Sequence, residues 1–322
     1  EYDGHNYILT KVDGYDKLVS ADVAENEVHI YYALDEIGEG DDPTKPDDIP
    51  DKYQTTVVFA AVNGTVDGAT QVEKVVTLTD EEGNWSETGS YTLTDEDIPE
   101  AVAATGYAQS TKKWDAEPVG AVIDADENTK ASFVVSFSPA DQTYIVQYID
   151  EDTNEGLKEQ DTFDAKFGDY IDGEDHAIEF EGYTFTHATE LWVTEDNQVN
   201  YVFVYYSKDE NGDKIPDKYQ TTVVFAAING TVDGVTQVEK VVTLTDSEGN
   251  WSENGSYTLT EDDVPVAAAA TGYEQETKSW DAEPVGAVID ADENTKASFI
   301  VSFSPADQTY IVQYIDEDTN EG

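Results

Sequence analysis

The 322-residue sequence contains no cysteine, no methionine and no arginine, so lysine supplies all 16 of its basic side chains. The absence of cysteine excludes disulfide bonds and thiolate metal sites. Stability must therefore come from packed cores, bound cations or crosslinks of another kind, such as a Lys–Asn or Lys–Asp bond. No apolar run approaches membrane-spanning length. The sequence predicts neither a disulfide scaffold nor direct insertion into a membrane.

Basic charge is scarce, since the sequence has 71 acidic residues and only 16 lysines, which gives a formal net charge of −55. Phosphate contacts dominate nucleic-acid affinity and require lysine or arginine, so the composition excludes DNA and RNA as partners. The charge indicates a solvated surface that keeps a long protein soluble. Adaptation to high salt and the collection of divalent cations are the alternatives. Hydrophobic residues make up 39% of the chain and occur in short patterned runs, which predicts a folded protein.

Catalytic motifs are also missing. The sequence has no nucleophile elbow and no phosphate-binding loop. Its four histidines are scattered without metal-ligand spacing, at His5, His29, His176 and His187. With so many carboxylates, a pair of them is no evidence of acid–base chemistry. The sequence therefore predicts that the protein is not an enzyme.

The main feature that is present is a long internal repeat. Residues 49–156 recur at 215–322 without a gap and with mild substitutions, such as Val62 to Ile228. Tandem duplication adds reach or avidity, which benefits a stalk or a multivalent binder more than an enzyme. Both ends of the sequence fall inside the repeating pattern, so we expect an excerpt from a longer polypeptide.

Each period has two units. The first unit contains runs rich in Val, Thr, Phe and Tyr, at 54–62, 71–79, 89–94 and 131–138. Turn signals separate these runs, at Asn63-Gly64, Asp67-Gly68 and Glu82-Gly83-Asn84. Asn-Gly and Asp-Gly favour hairpins because both residues tolerate positive φ. The pattern predicts a β-sandwich or a curled sheet.

The second unit begins at 144–149, where Tyr144, Val146 and Tyr148 alternate with Ile145, Gln147 and Ile149, and this period of two predicts a half-buried strand. It closes with the aromatic run 200–206. Residues 1–35 match its closing half, and each version ends in a tyrosine pair, Tyr31-Tyr32 and Tyr205-Tyr206. The predicted order is a half unit at 1–35, a linker at 36–51, a long repeat at 52–140, a second unit at 141–207, a linker at 208–217, the second long repeat at 218–306 and a first strand at 307–322. The fold class predicted is all-β, with tandem small β-sandwich or β-grasp-like domains in an elongated beads-on-a-string array.

Residues 143–207 resemble the mucin-binding-protein (MucBP-type) repeat of bacterial surface adhesins. The resemblance is carried by YIVQYIDEDTNEG, KFGDYI, FEGYTF and NQVNYVFVYY. Residues 49–140 and 215–306 look like SHIRT-type stalk repeats, on IPDKYQ, VNGTVDG, GNWSETGSYTLT, ATGY and WDAEP. These resemblances imply a rod-like adhesin attached to the cell surface or cell wall, whose MucBP-type units contact host or environmental glycans such as mucin.

The second linker carries a candidate calcium loop. Its oxygen donors alternate along the chain, at Asp209, Asn211, Asp213, the Ile215 carbonyl and Asp217. Calcium prefers six to eight hard oxygens, and this spacing resembles extracellular DxNxDGxxD loops. The loop departs from them at Lys214, where glycine would relieve the turn. An ordinary polar linker is the alternative, because Asp, Asn, Gly and Pro all favour turns.

Other acidic loops give a weaker calcium signal. The first linker keeps Asp47 and Asp51 but has Pro43 and Lys45 at the positions of Asp209 and Asn211. The same alternation occurs at Asp150, Asp152 and Asn154 and at Asp124, Asp126 and Asn128. Both triplets lie between predicted strands, where hairpin turns are expected.

Two further residue types are candidates for surface chemistry. Glycosylation sequons occur on predicted turns at Asn63, Asn84, Asn229, Asn250 and Asn254. The five tryptophans could stack on sugar rings, but we expect them in cores; they are Trp85, Trp114, Trp192, Trp251 and Trp280.

Three hypotheses follow from the sequence. The first is an extracellular structural repeat region of a stalk, adhesin or filament that displays binding domains. The second is a glycan-binding module. The third is a filament subunit that polymerises with neighbouring copies by strand addition of its C-terminal segment.

Overall fold

The computed structural model describes residues 2–16, 18–38, 46–125, 131–291, 297–315 and 317–321. Within these ranges the regular structure consists of β-strands and short 3-10 helices, which confirms the predicted all-β class. No helix in the described parts is long and apolar enough to cross a membrane. The chain divides into two compact units, one of Glu1–Ile145, Thr162–Ile171 and Leu191–Tyr201 and one of Val146–Asp161, Asp172–Glu190 and Val202–Gly322.

The N-terminal segment forms an antiparallel hairpin of β1 (Tyr7–Asp13) and β2 (His29–Leu34), with a 3-10 turn at Val23–Glu25 between them. A β-bulge between Leu9 and Lys11 shifts the register. The Thr10 hydroxyl at this bulge donates to the Tyr31 carbonyl at 3.2 Å.

The described residues of the first long repeat form eight strands. They are β3 (Gln54–Val62), β4 (Gly64–Val66), β5 (Gln71–Thr77), β6 (Ser90–Thr92), β7 (Ala101–Ala103), β8 (Lys113–Trp114), β9 (Val122–Asp124) and β10 (Ala131–Ser136). Its 3-10 turns are Asp51–Tyr53, Asp95–Asp97 and Gln109–Thr111. The main sheet has the order β5-β3-β10-β8, and β4-β7 and β6-β9 form separate pairs. All four predicted strands lie where the sequence pattern placed them.

The core of this repeat follows from the period of two along its strands. Val57 and Phe59 on β3 are fully buried, and so is Val135 on β10. Alternate side chains of a strand point to the same face, so these residues meet over one side of the sheet. The Phe59 and Phe133 rings stack at 5.7 Å. The central pair β3 and β10 is parallel, which a hairpin-based prediction does not anticipate.

The two glycine turns near β4 behave differently. Asp67 and Gly68 both have positive φ and close a two-residue turn between Val66 and Ala69, as Asp-Gly predicts. Asn63-Gly64 is not a hairpin, so that prediction was wrong: it leads from β3 into a separate strand pair. A Cβ at Gly64 would lie 2.4 Å from the Val102 carbonyl, which explains the glycine by close packing.

The second long repeat reproduces the first, with main-sheet order β20-β18-β25-β23. Its strands are β18 (Gln220–Ile228), β19 (Gly230–Val232), β20 (Gln237–Thr243), β21 (Ser256–Thr258), β22 (Ala267–Ala269), β23 (Ser279–Trp280), β24 (Val288–Asp290) and β25 (Ala297–Ser302). Its 3-10 turns are Asp217–Tyr219, Glu261–Asp263 and Gln275–Thr277. The residues at 309–315 that follow it are not assigned to a strand.

Between the repeats lie seven strands. They are β11 (Asp141–Asp150), β12 (Glu155–Gly156), β13 (Asp161–Lys166), β14 (Tyr170–Ile171), β15 (Tyr183–Ala188), β16 (Leu191–Trp192) and β17 (Tyr201–Lys208), with a 3-10 turn at Gly173–His176. The larger sheet has the order β12-β11-β17-β15, with β13 also paired to β11, and β14 pairs with β16. The alternation predicted at 144–149 is confirmed, since Tyr144, Val146 and Tyr148 are buried.

Candidate functional site at the repeat linkers

The predicted calcium loop lies between β17 and the 3-10 turn Asp217–Tyr219. Asp209 is only 4% exposed, and its carboxylate accepts three backbone N–H bonds from inside the loop. The donors are Gly212 at 2.8 Å, Asp213 at 3.2 Å and Lys214 at 2.9 Å. Asp209 therefore closes the loop by satisfying backbone groups that would otherwise lack partners.

The remaining oxygens of the loop also accept hydrogen bonds. The Asn211 side chain accepts from Asp213 N and the Asp213 carboxylate from Ile215 N, each at 2.9 Å. Asp217 accepts from Glu210 N at 3.1 Å. This is the pattern of the polar-linker alternative.

Calcium at this loop stays a prediction. In the described part of the chain, no three histidine, aspartate or glutamate side chains are placed to hold a metal ion. A loop that bound calcium through Asp209, Asp213 and Asp217 would have to exchange some of its internal hydrogen bonds for the ion.

The first linker repeats the design with Asp35 in the place of Asp209. Asp35 is also 4% exposed and accepts from Asp47 N at 3.2 Å. Asp47 accepts from Ile49 N at 2.9 Å, as Asp213 does from Ile215. Asp51 accepts from the backbone of Glu36 at 2.8 Å, as Asp217 does from Glu210.

A glutamine completes each linker. Gln220 donates to Asp213 at 2.7 Å, and Gln54 donates to Asp47 at 2.7 Å. The sequence comparison at a fixed offset missed Asp35 because it aligned Pro43 and Lys45 with the loop, and both of those lie outside the described residues. The signal that could have found Asp35 is the Asp-Glu pair shortly after each tyrosine pair.

A partly buried ion pair connects the second linker to the turn after β11. The Lys218 ammonium contacts the carboxylates of Glu151 and Asp152, the latter at 2.8 Å. The Ser207 hydroxyl also donates to Asp152, at 2.6 Å. Burial alone would lower the pKa of Lys218, but the hydrogen bonds that its ammonium donates to these two carboxylates outweigh burial and raise that pKa. Lys52, at the equivalent position of the first linker, pairs with Glu87 instead, at 2.7 Å.

Each long repeat also holds an ion pair whose aspartate is buried. Asp97 accepts from Lys74 at 2.8 Å, from the Thr94 hydroxyl at 2.8 Å and from Tyr91 at 3.0 Å. It also caps the 3-10 turn Asp95–Asp97 by accepting from Thr94 N at 2.7 Å. Burial would raise the pKa of Asp97, but these hydrogen bonds prevail and lower the pKa to about 2. The second copy repeats the set with Asp263, Lys240, Tyr257 and Thr260.

The weaker acidic triplets have a structural role where they are described. Asp150 is buried, and its carboxylate accepts from Asp152 N at 2.9 Å and Thr153 N at 3.3 Å, which closes the turn after β11. Asp124 ends β9. Asp126 and Asn128 lie outside the described residues.

All five sequon asparagines are exposed. The Asn63 side chain donates to the Phe137 carbonyl at 3.1 Å, and Asn229 repeats this bond with Phe303. On these two residues a glycan would be attached to the side-chain nitrogen that donates this hydrogen bond. Glycosylation stays a prediction, and Asn254 lies on the exposed turn before β21.

The tryptophans fall into two groups. Trp114 and Trp280 pack edge-on against Phe59 and Phe225 at 6.0 and 6.1 Å, which confirms them as core residues. The core prediction was wrong for the other three, which are about half exposed or more: Trp85, Trp192 and Trp251. The ring of each of these contacts a tyrosine ring, at Tyr53, Tyr170 and Tyr219.

No protein-family model matches the chain, and no curated protein matches it. Among solved structures it is similar to the streptococcal ancillary pilin at 13% sequence identity, over 79% of this chain and 100% of that one. The TM-score of this match is 0.21, which supports no inference about function. The resemblance to MucBP-type and SHIRT-type repeats therefore stays a prediction.

Proposed function

We propose that the chain is the structural repeat region of an extracellular stalk or filament at the cell surface, in which MucBP-type units alternate with SHIRT-like repeats. The observation that carries the proposal is the repeated construction of the linkers. In both periods a buried aspartate accepts backbone hydrogen bonds from the linker that follows it, and a glutamine reaches back to the same loop. A chain that only tethered two domains would need no such bonding.

The acidic surface supports the same function. A net charge of −55 makes successive domains repel one another and favours an extended chain at moderate salt. A non-enzymatic role, and attachment at a cell wall, belong to the same proposal.

The test is the length of the particle as a function of repeat number. Chains of one, two and three periods, joined at the natural offset of 166 residues, would be imaged by rotary-shadowed electron microscopy. We expect length to grow by a constant increment per period at constant width. Globular particles that widen in all directions would contradict the proposal.

Glycan binding is a second candidate, favoured by an exposed aromatic pair in the MucBP-type unit. Trp192 is 66% exposed and its ring lies 5.1 Å from that of Tyr170. Aromatic faces of this kind can stack on the apolar faces of sugars. A glycan array probed with the whole chain and with Trp192→Ala tests it, with Trp251→Ala as the matched exposed control. Hits lost only with Trp192→Ala would support binding at this pair, and a blank array would reject it.

Calcium at 209–217 is a proposal that rests on the loop's oxygen spacing. Thermal melting in calcium and in chelator tests it. We expect calcium to raise the melting temperature of the whole chain and Asp213→Asn to remove that increase, whereas Asp80→Asn, in an exposed loop elsewhere, should not. Equal melting in calcium and in chelator would reject the site.

A further inference from the structure

The Lys218 side chain connects the second long repeat to the middle region, which consists of the strands β11 to β17. Lys218 belongs to the 3-10 turn Asp217–Tyr219 at the start of that repeat, and its ammonium contacts Glu151 and Asp152 in the turn after β11. All of these residues lie within one compact unit. The contact therefore joins two parts of this unit whose residues, Asp152 and Lys218, are 66 positions apart in the sequence.

Both carboxylates are also held from within the middle region. The Thr186 hydroxyl on β15 donates to Glu151 at 2.7 Å, and the Ser207 hydroxyl on β17 donates to Asp152 at 2.6 Å. The Glu151 N–H donates to the Tyr206 carbonyl at 2.9 Å, which fixes the turn to the end of β17. The two acceptors are thus positioned by their own region, so little side-chain freedom is lost when the lysine binds them.

The linker is ordered in a way that keeps the lysine near these carboxylates. Asp209 accepts three backbone N–H bonds from inside the linker, and Asp217 accepts a fourth from Glu210 at 3.1 Å. A segment that is already closed by internal hydrogen bonds loses little chain entropy when the residue that follows it makes a contact. The linker therefore favours the ion contact.

The lysine also compensates a repulsion between carboxylates. The side chains of Lys218 and Glu151 are each 19% exposed and that of Asp152 is 33% exposed, so solvent and salt screen their charges only in part. Without the ammonium, two adjacent carboxylates would remain beside each other in a partly buried place. Removing the lysine should therefore cost more than the loss of an exposed ion pair.

We infer that Lys218 is a clamp through which the middle region and the second long repeat stabilise each other. A coupling between two parts of a molecule is reciprocal, so loss of the contact destabilises both parts by the same factor. The purpose of the clamp rests on the proposed stalk function, in which consecutive parts of the chain have to hold together. The coupling itself is measured independently of that function.

Hydrogen exchange of the whole chain, read by mass spectrometry, tests the clamp because it reports the stability of each strand separately. We expect Lys218→Met to speed the exchange of β17 in the middle region and of β18 in the second long repeat, each by about tenfold. The strand β3, which is nearly identical to β18 in sequence, is the internal reference and should keep its rate. Unchanged exchange in β17 and β18, or a change in only one of them, would overturn the inference.

A matched variant separates the contact from the charge. Lys214 lies in the same linker at an exposed position, so Lys214→Met removes the same charge without touching Glu151 or Asp152. It should leave the exchange of β17 and β18 unchanged. The same acceleration with Lys214→Met as with Lys218→Met would show that linker charge, and not the contact, is the cause, and would overturn the clamp.

A variant on the other side of the contact tests its reciprocity. Glu151→Gln lies in the middle region, but it should speed the exchange of β18 in the second long repeat. In a chain that already carries Lys218→Met it should bring no further acceleration, because the contact can be lost only once. Additive effects of the two substitutions would contradict the clamp. Globular particles in the length measurement, together with the expected exchange pattern, would reject the stalk and keep the clamp.

Discussion

At the residue scale, the molecule repeatedly uses aspartate to accept backbone hydrogen bonds. Asp35, Asp209 and Asp150 are buried carboxylates that close linkers or turns, and Asp97 adds an ion pair with Lys74. A chain without disulfides gains local order from these bonds, each worth about 1 kcal/mol and more where a charge is involved. Part of the acidic composition is therefore structural rather than only solvating.

The Asp97 cluster predicts an acid-sensitive domain. The pKa of Asp97, about 2, is below the value of about 3.9 for an aspartate in an unfolded chain. The charged Asp97 therefore stabilises the fold fully above about pH 4, and this stabilisation is lost as the pH falls towards 2. Asp97→Asn should destabilise the first long repeat by about 1–3 kcal/mol at pH 7, measured by urea denaturation, and by much less at pH 2. Asp95→Asn, at an exposed position of the same turn, is the control. An equal loss in both variants would contradict this role.

Lys214 predicts a stabilising substitution. Its φ is 70°, a conformation that glycine adopts freely and lysine does not. Lys214→Gly should raise the stability of the second linker region by about 1 kcal/mol, measured as the midpoint of thermal unfolding. Lys214→Ala removes the same charge but keeps the Cβ, so it should bring no gain. A gain with alanine as large as with glycine would show that charge, not backbone strain, is the cause.

At the element scale, the strands were predictable from local sequence, because the run at 54–62 is rich in β-branched and aromatic residues and the run at 144–149 has a period of two. The pairing of the strands was harder to predict from the sequence. The parallel β3–β10 pair joins segments more than 70 residues apart, which local turn signals do not reveal. Asn63-Gly64 carries a hairpin signal, but Gly64 is required by the Val102 backbone nearby.

The candidate site was predictable only in part. The oxygen-rich loop at 209–217 is visible in the sequence, but its counterpart Asp35 is hidden by the different lengths of the linkers. The Lys218 contact with Glu151 was not predictable either, because it joins residues 67 positions apart.

Two glycines at equivalent positions of the long repeats allow the energetic effect of packing to be measured apart from that of backbone conformation. Gly106 and Gly272 have φ of 85° and 91°, but a Cβ at Gly106 would lie 2.5 Å from the Phe167 ring, and at Gly272 it would meet nothing within 4 Å. Both Gly106→Ala and Gly272→Ala should lose about 1 kcal/mol from positive φ. Gly106→Ala should lose a further 1–3 kcal/mol, roughly, from overpacking. Urea denaturation of the two variants measures the difference, and equal losses would show that the ring moves aside freely.

At the scale of the whole molecule, the main property of the chain is repetition. Two long repeats share strand order, core and an ion pair on a buried aspartate, and two linkers share an aspartate and glutamine arrangement. Duplication of a folded unit together with its linker extends a chain without requiring a new fold. The proposed extension and display functions follow from that property.

Small-angle X-ray scattering of the 322-residue chain tests this central proposal most directly. A compact globule of this length would have a radius of gyration of about 20 Å. We predict a value well above that at about 0.15 M salt, extrapolated to zero concentration, with the distance distribution of an elongated particle. A radius near the globular value with a symmetric distance distribution would contradict the account.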